Sequence, residues 1–128
     1  MLAGLLTRVL QTNRRRGAAG ATAARRAASI DAAVAWWVEA LRGRGGTDPD
    51  ALEPFARALR ADLTARLDAS YRVYLEANHQ PQTVLRAAAL AAGLDLDGFP
   101  LATTMSVTDV KVEVSRAARA PYELLHSA

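Results

Sequence analysis

Apolar positions recur at two periods along this chain, and the change of period separates helices from strands. Between Ser29 and Arg42, Ile30, Val34, Trp37, Val38 and Leu41 return at helical spacing on one face. Ser29 precedes that stripe as an N-cap candidate. Gly43, Gly45 and Gly46 end it, with Arg42 at the negative pole. Trp36 falls off the stripe, so it reads as packing at the edge of another helix or as an exposed anchor for a partner. A second helix is expected over residues 50–69, with Leu52, Phe55, Leu59, Leu63 and Leu67 on its apolar face. Asp50 and Glu53 have capping-box spacing, Asp48 before Pro49 is a rival cap, and Pro54 is expected in the first turn. The charges between the leucines form a solvated face, with Asp62 and Arg66 paired at i,i+4.

At Tyr71 the period drops to two. Tyr71, Val73 and Leu75 share one side of an expected strand that ends in a turn at Asn78-His79-Gln80-Pro81. Residues 82–92 return to helical spacing, with Val84, Leu85, Ala88 and Ala92 facing one way. Gly93 is an αL stop that Leu94 can cover, and Leu96, Phe99 and Pro100 predict a turn or short helix. Leu101, Thr103, Met105 and Val107 alternate, as do Val110, Val112 and Val114. The phase breaks at Thr108-Asp109, which predicts a tight turn or bulge. Arg116 to Pro121 reads as a loop, and residues 122–126 as a last strand. Such elements bury their apolar faces by packing helices on one small antiparallel sheet, an α+β fold.

Composition narrows the chemistry. The 128 residues include 29 alanines, so the 51% hydrophobic content buries less area than it suggests. No apolar run approaches the roughly 20 residues of a bilayer span. The lack of cysteine excludes disulfides, thiolate zinc sites and cysteine nucleophiles, and two distant histidines make a His-rich metal site implausible. The chain shows neither a glycine-rich phosphate loop nor a nucleophile elbow. Asp95 and Asp97 lack the remaining ligands of a calcium loop. His79 reads as a turn residue and His126 as a strand residue. No catalytic residue, metal or cofactor is expected.

Charge is distributed unevenly. Residues 1–30 carry six arginines and no acid, a charge of +6, and the other ten bases and all thirteen acids leave the remainder at −3. Residues 1–28 therefore read as a basic arm before a domain at 29–128. The arm fits a solvated tail, a targeting peptide with Leu2, Leu5, Leu6, Val9 and Leu10 on one helix face, or a docking helix within a larger assembly. It also fits a nucleic-acid arm, with Arg14, Arg15, Arg16, Arg25 and Arg26 on phosphates.

In order and spacing, residues 29–126 resemble the BTG/Tob anti-proliferative domain. The resemblance rests on Ser29 to Leu41, Leu52 to Leu67, Tyr71-Arg72 through Asn78-His79, Leu85 to Gly93-Leu94, Pro100, and Val107 to Val114. Asp68-Ala69-Ser70 stands where that family has a longer His-, Trp- and Pro-rich segment, and Ser106 and Thr108 take its Trp and Asp positions. The resemblance implies a non-enzymatic adaptor that binds the catalytic subunit of the cytoplasmic mRNA deadenylase, regulates deadenylation and transcription, and resides in cytoplasm and nucleus. By the same resemblance Ser106, Val107, Thr108 and Asp109 are partner contacts, together with the nearby end of the second helix. Trp36 is the further candidate anchor.

Overall fold

The computed structural model describes residues 2–44, 47–117 and 119–128, with side chains from residue 20 onward. The first helix, α1 (Leu2–Arg42), begins well before the expected start. Alanine and arginine, strong helix formers, dominate the segment before Ser29 and outweigh Gly17 and Gly20 within it. Ser29 is therefore not an N-cap. It is buried in mid-helix and donates its hydroxyl to the Asp109 carbonyl at 3.0 Å. The helix also runs through the expected junction between arm and domain without a break. The predicted stripe is as expected at Ile30, Val34, Trp37 and Leu41, all buried.

Helix α2 (Pro49–Ala69) starts at Asp48, not Asp50. The Asp48 carboxylate accepts from the Asp50 amide at 3.0 Å, and Pro49 takes the first helical position, where its missing N–H costs nothing. Glu53 consequently bonds Arg57 at 3.3 Å instead of closing a capping box. Pro54 falls in the second turn, inside the helix, rather than in the first. The five expected apolar residues from Leu52 to Leu67 are all buried, and Arg66 pairs with Asp62 at 3.2 Å.

Strand β1 (Arg72–Asn78) buries Val73, Leu75 and Ala77 and exposes the residues between them. Tyr71 lies before the strand and is exposed, contrary to its expected place beside Val73. The turn at His79 adopts φ 65° and returns the chain into a two-residue strand, β2 (Gln80–Pro81), that the sequence reading missed. Proline is tolerated there because β2 is a sheet edge. Helix α3 (Thr83–Ala92) closes as expected: Gly93 has φ 71°, its amide reaches the Leu90 carbonyl, and the Leu94 amide reaches the Ala89 carbonyl at 2.9 Å. Ala89, not Ala92, completes its buried face. A single 3-10 turn, Leu96–Gly98, precedes Phe99.

The last strands are β3 (Thr103–Thr108), β4 (Lys111–Ser115) and β5 (Glu123–Ser127). Leu101 and Val110, expected in the alternation, lie outside the strands and are exposed. The sheet order is β2-β1-β3-β4-β5, antiparallel throughout, with a bulge where β5 meets Val112 and Glu113. Leu75 pairs with Met105 and Met105 with Val114, so one face is continuously apolar beneath the helices. Trp37, Phe55 and Phe99 fill the layer between, with ring centroids about 6 Å apart. The fold is α+β, helices on one face of one sheet, as the alternating periods predicted.

Candidate protein-binding surface

Strand alternation decides what the expected contact residues can reach. Val107 faces the helices and has no exposed surface, so it is a core residue and not a partner contact. Its neighbour Ser106 points to the opposite face, between Tyr74 of β1 and Glu113 of β4. It is only 5% exposed there and forms the floor of a slot rather than a contact knob. Thr108 stays partly accessible, but its hydroxyl is engaged in the β3–β4 turn, with the Val110 amide and Lys111 carbonyl each at 3.3 Å. Trp36 is half-buried against the core, edge-on to Trp37, with the Arg116 guanidinium 5.8 Å from its ring centroid. It packs at a helix edge rather than standing out as an anchor.

Asp109 is tied into a three-element junction. Its carboxylate accepts from the Arg26 Nε at 2.8 Å, and the same guanidinium bonds Asp68 near the end of α2. The Asp109 hydrogen bond, followed by the Asp109 charge and then the Asp68 hydrogen bond and charge, pushes the Arg26 pKa up. With Ser29 on the Asp109 carbonyl, α1 holds the β3–β4 turn from two helical positions three residues apart. Asp109 of the expected contact residues and the end of α2, expected to share a surface, are thereby brought together. Beside this junction stand Tyr71, 79% exposed, and Val110, 45% exposed. Arg72 pairs with Thr108, so Tyr71 enters β1 next to the turn.

The side of the sheet away from the helices is the second feature. Arg72 donates to the Tyr74 hydroxyl at 3.1 Å and lies within 6 Å of the Tyr71 and Tyr74 ring centroids. The Tyr74 contact is the main cause of the upward shift in its pKa. Tyr74 and Tyr122 flank a slot of about 80 Å³ above Ser106, which Arg72 and Glu113 also line. Two broader hollows of about 460 and 430 Å³ adjoin each other at Glu76 and Gln82; the first shares Arg72 and Tyr74 with the slot and the second shares Tyr122. The pairing of Tyr74 with Tyr122 was not legible in the sequence, because it depends on how β5 is approached from the loop before it.

The nucleic-acid residues divide. Arg26 is spent on the two aspartates, whereas Arg25 is exposed on α1. Arg14, Arg15 and Arg16 lie among residues whose side chains are outside those described, as do Leu2, Leu5, Leu6, Val9 and Leu10 of the expected targeting face; Gly45 and Gly46 of the expected helix stop also lie outside the described residues. Among the described residues, no group of three acidic or histidine side chains is placed to hold a metal ion, and no helix is long and apolar enough to cross a membrane. Asp95 caps the 3-10 turn through the Asp97 amide, while the Asp97 carboxylate accepts from Gln80 at 2.8 Å. No protein-family model matches the chain, and no curated protein matches it.

Proposed function

We propose that this protein is a non-enzymatic adaptor of the BTG/Tob type, which binds a folded partner through the junction of the β3–β4 turn and the end of α2. The observation that carries this reading is the Arg26 clamp on Asp68 and Asp109. It joins two segments far apart in sequence and sets exposed Tyr71 and Val110 at their margin. Tyrosine is among the residues that most often carry interface energy, and a preorganised site loses less entropy on binding. The resemblance names the partner: the catalytic subunit of the mRNA deadenylase. The same resemblance implies a role in restraining proliferation through mRNA turnover, in cytoplasm and nucleus.

The test is co-purification of that subunit with the full chain and with a Tyr71→Ala/Val110→Arg variant. The adaptor reading expects recovery by the wild type and at least a tenfold loss in the variant, about 1.4 kcal/mol. Equal recovery by both chains, or recovery by neither, contradicts it.

A further inference from the structure

The adaptor reading leaves the outer face of the sheet without an occupant. Its central slot is far below the roughly 300 Å³ of a small-molecule site and has room for one side chain. The walls are two half-exposed tyrosine rings, Tyr74 at 50% and Tyr122 at 46%. The rim carries Arg72, whose guanidinium has no carboxylate in ion-pair distance among the described residues. Glu113 across the slot is paired with Lys111 at 3.2 Å, which leaves Arg72 as the slot-lining charge without an ion pair among the described residues. Beneath the slot, β3 is hydrogen-bonded to β1 and β4, so the slot itself is walled by side chains; β1 is paired beyond β3 only at Ala77 and Asn78. Two open hollows share lining residues with the slot, Arg72 and Tyr74 with one and Tyr122 with the other.

We propose that this face is a second binding site, for a proline-containing peptide in the polyproline II conformation, with a proline ring between Tyr74 and Tyr122 and an acidic peptide side chain on Arg72. A polyproline II chain has no internal hydrogen bonds and offers free carbonyls to the phenol and guanidinium donors that line the face. It is already extended, so it loses little entropy on docking against aromatic walls. The acidic side chain matches the charge of Arg72. This site goes beyond the adaptor reading and would give an adaptor its second attachment point.

The experiment is fluorescence anisotropy with a labelled peptide built on a Pro-Pro-Glu-Pro-Pro core, titrated with the full chain. Saturable binding is expected. Tyr74→Ala and Tyr122→Ala should each weaken it about tenfold, and Tyr74→Phe, which keeps the ring, should retain most of it. Replacing the peptide glutamate by glutamine should weaken binding to the wild type, and that difference should vanish in Arg72→Gln. Val110→Arg, at the turn, should bind the peptide like the wild type. The proposal is overturned by no saturation with the wild type, by equal binding of a peptide with alanine for proline, or by indifference to both tyrosine variants. Because the deadenylase is absent from this titration, its outcome is separate from that of the co-purification.

Discussion

The two faces of the sheet are built from the same strands by alternate residues, yet they answer to different demands. The inner face, with Val73, Leu75, Met105, Val107, Val112 and Val114, is sealed under the helices. The outer face, with Arg72, Tyr74, Glu76, Ser106 and Glu113, mixes charge and aromatic rings and stays open along its hollows. A one-residue change of phase moves a side chain from one regime to the other. This is why Ser106 and Val107, adjacent in sequence and assigned the same role by resemblance, cannot share it. One floors a surface slot, and the other is core.

Substitutions should therefore separate stability from binding by face. The largest effect is expected at Met105→Ala, which leaves a cavity where β1, β3 and β4 meet. Urea unfolding should show a loss of about 2–5 kcal/mol, and a smaller change would mean that the inner face repacks. Next comes Gly93→Ala, which forces a side chain into φ 71° and should cost about 1–2 kcal/mol by the same assay. Ser29→Ala removes the buried hydroxyl bond to the β3–β4 turn and should cost about 1 kcal/mol. It should also speed amide exchange in that turn, since the clamp loses one of its two holds. The smallest stability effect is expected on the outer face. Tyr74→Ala and Tyr122→Ala should lower the unfolding free energy by roughly 0.5 kcal/mol or less each, while the inner-face variants do not alter the slot's ligand preference. A large loss from either tyrosine would mean that the outer face also serves as core.

The helix stripe of α2 and the alternation of β1 were legible because each burial pattern has a local period. The αL stop at Gly93 was legible for the same reason, since a glycine followed by leucine closes a helix by local geometry alone. Strand β2 was not, because two residues have no period and Pro81 argues against a strand unless the edge is known. The start of α1 was misread because Ser29 looks like a cap. Only the fold shows that its hydroxyl is used 80 residues away. The Arg26 clamp and the Tyr74–Tyr122 slot escape sequence reading altogether. Each is a contact between segments with no shared local signal, created by strand register and by the packing of α1 on the turn.

Titration calorimetry of the deadenylase catalytic subunit into the full chain and into Tyr71→Ala/Val110→Arg tests the central claim most directly. The account predicts a one-to-one isotherm for the wild type. It predicts at least a tenfold weaker one for the variant, with the unfolding midpoint unchanged. An isotherm identical for both chains, or no heat of binding with the wild type, would contradict it.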